Sequence, residues 1–349
     1  MTLIAIILGG IILALILFLR YYPAFGGKWS GDKIVNEVDF GSNTTPGTNL
    51  SLLKDLIKGN PNGKPRQPIS VVPAELGFLH DSHTKVFWFG HSALLIEIAG
   101  KTLLLDPMFG KAPTPFPWFG NKRYSKQLPI DIDQLPPIDA VLLSHDHYDH
   151  LDYGSIQKLK HKVGSFYMPR GVGKHLARWG VDQDKIHEFN WWEETELVGL
   201  KLVCTPAIHF SGRYLLDNNT ALWCSWVIAS SEHKLFFSGD SGYGPHFKKI
   251  GDTYGPFHLT MMECGQYDER WPAIHMMPEE TIQAQLDVKG NMMIPIHWGA
   301  FKLAFHDWTE PIERVIQAAK EQGVAIATPR IGEAVIINAS EYPSAAWWK

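Results

Sequence analysis

From Lys85 onward the chain alternates short apolar runs with turn residues. Lys85-Val86-Phe87-Trp88-Phe89, Leu94-Leu95-Ile96-Glu97-Ile98 and Lys101-Thr102-Leu103-Leu104-Leu105 are made of strand-forming residues. Gly90-His91-Ser92 and Ala99-Gly100 turn between them, so the pattern predicts a three-stranded meander leading to Asp106. Ala140-Val141-Leu142-Leu143, Ser165-Phe166-Tyr167-Met168, Leu202-Val203-Cys204-Thr205, Lys234-Leu235-Phe236-Phe237 and Met292-Met293-Ile294-Pro295-Ile296 read as further strands. Helical periods lie between them. Asp152 is placed to cap a short helix that buries Ile156 and Leu159, and residues 173–179 suit another. The clearest helix starts at a Thr309 cap, repeats Ile312, Val315, Ile316 and Ala319, and stops at Gly323. Residues 324–327 and 334–337 are expected closing strands. Strands alternating with helices define the α/β class.

The first 80 residues have another texture. Residues 3–19 carry no charge and are almost wholly Leu, Ile and Ala, about the shortest length that crosses a hydrocarbon core. A basic start and a small-residue cleavage site are missing, so residues 1–22 are expected to be a retained transmembrane anchor rather than a cleaved signal segment. Arg20, Lys28 and Lys33 follow it, which places the main domain on the cytoplasmic side; export is the alternative. Residues 23–80 are rich in Gly, Pro, Asn and Ser and are expected to form an extended arm. Within it Ser51 to Lys58 suits a short helix with Leu52, Leu53 and Leu56 on one side. Residues 81–349 form the main domain.

Composition narrows the partners. The 349 residues carry a net charge of −4, so there is no basic footprint for nucleic acid. Cys204, Cys224 and Cys264 are isolated and odd in number, which is no disulfide framework and no cysteine metal knuckle.

The chemistry concentrates in Ser144-His145-Asp146-His147-Tyr148-Asp149-His150-Leu151-Asp152, directly after an apolar strand. Imidazole and carboxylate are ligands for divalent metals. Burying such a cluster without a partner would be costly. Carboxyl ends of strands are where α/β sheets place their sites. Three later strands end in a comparable residue: His209, Asp240 between Gly239 and Ser241-Gly242, and His297 before Trp298-Gly299. Each is weak alone; together behind a His-x-His-x-Asp-His cluster they are a joint signal of a metal site.

On these residues the sequence resembles the metallo-β-lactamase superfamily. The resemblance implies an αββα sandwich, two sheets back to back with helices outside and metals on one rim. It implies that His145, His147 and His209 bind a first metal, that Asp149, His150 and His297 bind a second, and that Asp240 bridges them. Two zinc ions are the implied cofactors, with iron or manganese as alternatives. Further stretches, among them Trp191-Trp192-Glu193-Glu194, Gly239-Asp240-Ser241-Gly242-Tyr243, Tyr267-Asp268-Glu269-Arg270-Trp271 and Ile296-His297-Trp298-Gly299-Ala300-Phe301, resemble the branch of phospholipases D that hydrolyse N-acyl-phosphatidylethanolamines.

That resemblance implies a phosphodiesterase acting on an amphiphilic phospholipid, with Asp149, Asp240 and Asp146 serving the chemistry; the expected membrane attachment comes from residues 1–22 and not from the resemblance. Asp146, between two ligand histidines, would support a metal-bound water or act as an acid. Tyr148, Arg213, Arg270 and His306 are candidate substrate contacts, the arginines because a guanidinium binds phosphate oxygens bidentately. The Pro113 to Phe119 loop suits either a packing plug or a wall for an apolar substrate. Two rival functions are a lactone or acyl-thioester hydrolase with the same centre, and a non-enzymatic membrane-attached binding protein. Oligomeric state is left open, a homodimer among the options.

Overall fold

The computed structural model describes residues 7, 9–14, 18, 22–27, 34, 46–76, 83–213 and 217–349. The strands are β1 (Lys85–Trp88), β2 (Leu94–Ile98), β3 (Lys101–Leu105), β4 (Ile138–Leu142), β5 (Val163–Pro169), β6 (Ile186–Phe189), β7 (Glu194–Leu197), β8 (Leu200–Thr205), β9 (Ser225–Ala229), β10 (Lys234–Phe237), β11 (Phe257–Glu263), β12 (Gly290–Ile296), β13 (Ala325–Ile326) and β14 (Ala334–Ile336). They form two seven-stranded sheets, ordered β14-β1-β2-β3-β4-β5-β6 and β13-β12-β11-β10-β9-β8-β7. Each half of the chain builds one sheet, and β14 returns to the first.

The two sheets follow one plan. β1, β2 and β3 pair antiparallel, then β3 to β6 pair parallel. β7 to β10 pair antiparallel, then β10 to β13 pair parallel. It follows that β1, β3 and β4 point one way in their sheet, and that β8, β10, β11 and β12 share a direction in theirs. The predicted histidine- and aspartate-bearing ends therefore collect on one rim of each sheet.

Period-two alternation decides which core each side chain joins. Val86, Trp88, Leu94, Ile96, Leu103, Leu105, Ala140 and Leu142 enter a core shared with the second sheet. Their neighbours Phe87, Leu95, Leu104, Val141 and Leu143 pack on the other face with Ile156, Leu159 and Leu176 of the outer helices Tyr153–Leu159 and Gly173–Arg178. Burial on both faces is why these strands read as continuous apolar runs instead of alternating ones. Asp152 caps its helix as expected, its side chain accepting from Ser155 N at 2.7 Å.

Some local expectations change. Thr309 precedes the helix Glu310–Gln322 but its side chain makes no capping bond; Gly323 does end it, at φ 68°. The arm helix is longer than expected, Pro46–Lys58, and turned over: Leu53 and Leu56 are exposed along with Leu50 and Ile57. It is held instead by its polar side, where Asp55 pairs with Arg270 at 2.8 Å. Among the described residues no helix is long and apolar enough to cross a membrane. Most of the expected anchor, residues 1–22, lies outside the described residues. Strands β6, β7, β9 and β11 were not legible as runs. In β7, Glu194 and Glu196 are exposed on an edge strand, which suppresses the apolar signal.

Phe236 is fully buried on β10 against Phe247 and Phe257, at ring distances of 6.4 and 5.4 Å. Phe236→Ala is expected to lower unfolding free energy by about 3–5 kcal/mol, read from chemical denaturation, because it removes packed surface and leaves a cavity.

Candidate metal centre

The loop after β4 brings His145 and His147 to the rim, and the loop after β8 brings His209. His145 Nε2 lies 3.0 Å from His147 Nδ1, and His209 Nε2 lies 3.2 Å from the same atom. His209 Nδ1 donates to the Ile274 carbonyl at 2.9 Å, which places the neutral ring's lone pair on Nε2. A single proton cannot satisfy three converging nitrogens. Nitrogens about 2.0–2.1 Å from a tetrahedral zinc stand about 3.3–3.4 Å apart, close to the spacing here.

A second group surrounds Asp240. His150 Nδ1 faces Asp106 Oδ2 at 2.7 Å and donates to it. Its Nε2 is then a lone pair 3.0 Å from Asp240 Oδ2 and 3.5 Å from Asp149 Oδ2, without the geometry of a hydrogen bond. A lone pair held against two carboxylates is repulsive unless a cation or proton lies between. His297 Nδ1 is 3.0 Å from Asp240 Oδ1, while its Nε2 is buried and unpartnered. Asp240 Oδ2 also stands 3.8 Å from both His145 Nε2 and His209 Nε2. One carboxylate thus touches both donor groups, and the donor set fits divalent metal binding.

Residues 101–298 match the profile of the Beta-lactamase superfamily domain. The chain belongs to the metallo-β-lactamase superfamily. It is 42% identical over 288 residues to an uncharacterised protein of Mycobacterium tuberculosis, covering 80% of this chain and 76% of that one. It is 30% identical over 261 residues to N-acyl-phosphatidylethanolamine-hydrolyzing phospholipase D 1 of Caenorhabditis elegans, covering 71% of this chain and 73% of that one. In fold it is similar to Igni18, a metallo hydrolase of Ignicoccus hospitalis, with a TM-score of 0.56 at 20% identity over 74% of this chain and all of that one.

The superfamily's rim is held here by an outer layer of polar residues that the motif pattern does not name. Asp106, at φ 38°, receives Ser144 N at 2.8 Å as well as His150. Ser144 Oγ reaches His145 Nδ1 at 2.9 Å. His91, at φ 55°, holds Asp149 Oδ2 at 2.9 Å, and Ser92 Oγ holds His297 Nδ1 at 3.1 Å. His297 is itself at φ 66°. Non-glycine residues in the left-handed region are costly, and they gather here because the surrounding structure fixes them. Glu263, at the end of β11, is wholly buried, accepts from Ser241 N and Met276 N, and meets His275 Nδ1 at 2.9 Å. The sequence signals for this layer are Asp106-Pro107 closing β3 and the Gly90-His91-Ser92 turn; Glu263 ends β11, which offers no such signal.

Charge tuning follows the same layout. Burial, then the rings of His150, His147 and His209, hold His145 well below the usual histidine range. Burial and the neighbouring rings, His147 first, do the same to His209. For Asp240 burial works toward protonation, but His150 and His297 overcome it and keep the carboxyl well below its usual range. Burial and the Asp240 charge push Glu263 well above the usual carboxylate range.

The expected substrate contacts are placed otherwise. Tyr148 OH donates to the Arg213 carbonyl at 2.6 Å. Arg213 is buried and spends its guanidinium on the carbonyls of Ala24, Asp146 and Leu151. Arg270 is clamped by Asp268 and Asp55 at 2.6 and 2.8 Å. His306 accepts from Gln266 N and donates to the Asp307 carbonyl, so both nitrogens are engaged. Asp146 faces His175 at 3.2 Å and accepts from Gly212 N at 2.8 Å, so both of its oxygens are engaged by the scaffold. Residue type suggests these four contacts and the Asp146 role; most of the partners that occupy them come from distant parts of the chain, with Asp268 beside Arg270 and Asp307 beside His306 the local ones.

Two outcomes are expected. Only neutral imidazole binds metal. Because the folded pKa values of His145, His147 and His209 are depressed, these rings stay neutral as pH falls through 6.5, and metal held by this group is lost only below it. Metal content after gel filtration at stepped pH checks this; complete release already between pH 7 and 6.5 contradicts it. Asp106→Asn, which weakens the orientation of His150, is expected to lower metal affinity about 10–100-fold in a chelator competition.

Proposed function

We propose that this protein is a two-metal phosphodiesterase of phospholipase D type, cleaving an N-acyl-phosphatidylethanolamine-like lipid to a phosphatidate and the head-group alcohol. The observation that carries the reading is Asp240, one buried carboxylate within 4 Å of donors from both groups. His145, His147 and His209 would hold one metal, Asp149, His150 and His297 the other, with Asp240 between. When bound, such a pair lowers the pKa of a shared water and stabilises charge on phosphoryl oxygens.

The chain's own residues supply the rest. Asp149, 13% exposed, is the rim carboxylate nearest solvent, placed to orient an attacking water. His91 fixes its orientation. Glu263 holds His275 through Nδ1, so Nε2 is the atom available to a substrate oxygen. No serine or cysteine nucleophile with an adjacent base is required.

The apolar surroundings support an amphiphile delivered from a lipid surface. Phe210 lies against His147 and His209 at ring distances of 4.4 and 4.9 Å. Phe116 packs with Tyr22 and Phe25, and beyond it Trp118 and Phe119 are each 71% exposed. On the helix Pro46–Lys58, Leu50, Leu56 and Ile57 are about as exposed. Large apolar side chains left in water on a helix face are characteristic of interfacial segments.

The test is metal content together with turnover of an N-acyl-phosphatidylethanolamine, in wild type and Asp240→Asn. About two metals per chain, phosphatidate release followed by mass spectrometry, and a loss of more than about 100-fold in the variant are expected. Bound metal with intact phosphodiesters and hydrolysed lactones or thioesters would replace the substrate reading. Absence of metal from the purified, zinc-supplemented protein would remove the enzyme reading.

A further inference from the structure

The short segment Tyr22-Pro23-Ala24-Phe25-Gly26-Gly27 lies far from the metal-ligand motifs in sequence, yet it is bonded into their support. Pro23–Phe25 form one 3-10 turn, closed by Gly26 N donating to the Pro23 carbonyl at 2.8 Å. Trp179 Nε1 donates to the Pro23 carbonyl at 2.7 Å. Arg213 Nε and Nη2 donate to the Ala24 carbonyl at 3.3 and 3.0 Å. Gly27 N donates to His175 Nδ1 at 3.0 Å.

Two of these bonds continue to the ligand loop. Because Gly27 donates to Nδ1, the proton of neutral His175 sits on Nε2 and points at Asp146 Oδ2, 3.2 Å away. Asp146 stands between His145 and His147. The other route runs through Arg213, whose Nη1 donates to the carbonyls of Asp146 and Leu151 at 2.6 and 2.7 Å. Those carbonyls bracket His147, Asp149 and His150. A buried guanidinium with its acceptors withdrawn is expensive, so without the Ala24 carbonyl Arg213 must shift toward water and release the loop.

The sequence is built for this contact. Gly26 has φ +79°, and a Cβ there would lie 1.9 Å from His175 Nδ1; a Cβ on Gly27 would lie 2.1 Å from the Lys174 carbonyl oxygen. Only a residue pair without side chains lets the backbone approach so closely.

We propose that residues 22–27 are a positioning strap for the metal centre: docked on His175 and Arg213, they fix the 146–151 loop in its ligand-presenting shape. The inference rests on the metal-centre reading, and the test separates the two. Full-length wild type and Gly26→Val are compared by hydrogen–deuterium exchange without metal, by Zn2+ competition against a chromogenic chelator, and by kcat and KM. In the variant, exchange across 146–152 and at Gly212 is expected to rise at least about tenfold while β2, β3 and β10 keep their protection. Zinc affinity falls about 10–100-fold, the size of effect seen when ligand-orienting partners are lost, and kcat drops with little change in KM. The retained protection of β2, β3 and β10 separates this outcome from a general packing defect, which would raise their exchange as well. If Gly26→Val does not fold, Trp179→Phe removes one strap bond and should move exchange and affinity the same way by less. Faster proteolysis next to Lys28, reporting an undocked strap, with unchanged loop exchange and zinc affinity would overturn the proposal. A wild type that binds no zinc would remove the metal-centre reading, while the exchange comparison would still decide whether the strap orders the loop.

Discussion

A buried carboxylate surrounded by imidazole lone pairs is the constraint on which the rest of this structure turns. Asp240 is 2% exposed and lies within 4 Å of His145, His150, His209 and His297. His150 donates one ring N–H to Asp106; burial works against charge on that ring, but the carboxylates of Asp240, Asp149 and Asp106 around it favour positive charge and push it well above the usual histidine range. Burial of unpaired charge is too costly to persist unless a group of opposite sign completes it. The centre is therefore stable only as a receptor for positive charge, and its geometry is meaningful chiefly as a set of ligands.

The sandwich exists to make that convergence possible. No single sheet supplies the set: His145, His147, Asp149 and His150 follow β4, while His209, Asp240 and His297 follow β8, β10 and β12. Two sheets with the same antiparallel-then-parallel plan bring these ends onto a common rim. The approach is close enough to demand glycine at one point. Gly239, at φ 57°, precedes Asp240, and a Cβ there would meet the Cys224 carbonyl at 2.7 Å and Ser144 Cβ at 2.8 Å. The tail of β10 can lie against the tail of β4 only because that side chain is missing. His91, Asp106 and His297 carry the remaining backbone strain, each tied down by a hydrogen bond to another centre residue.

What could be read in the sequence follows from this physics. Strands buried on both faces leave dense apolar runs, so β1 to β4, β10 and β12 were plain, as were the residues terminating them. Edge strands such as β7 and the half-exposed β6 leave no such trace. Ligand types were legible because imidazole and carboxylate at strand ends have few other uses. The substrate contacts were not: Asp268, two positions from Arg270, is a local acceptor, but the remaining acceptors of Arg270 and those of the Arg213 guanidinium come from far along the chain. Ala24, 189 positions from Arg213, and Asp55, 215 positions from Arg270, decide their fate.

Arg213 shows how far that long-range logic reaches. A guanidinium hydrogen-bonded to neutral carbonyls has lost water, and the carboxylates of Asp146, Asp152 and Asp217 offset that loss only in part, so burial still lowers its pKa. It is tolerable because its donors are distributed over three carbonyls on two backbone segments, and because Tyr148 presents its ring 4.0 Å from the cation. The same distribution makes it a tie between the ligand loop and the chain's beginning. Residues that sequence reading treats as an arm laid over a finished domain are thereby joined to the innermost chemistry. Positive charge is used twice around one loop: a fixed guanidinium shapes it from behind, and the donor atoms in front await a cation of their own.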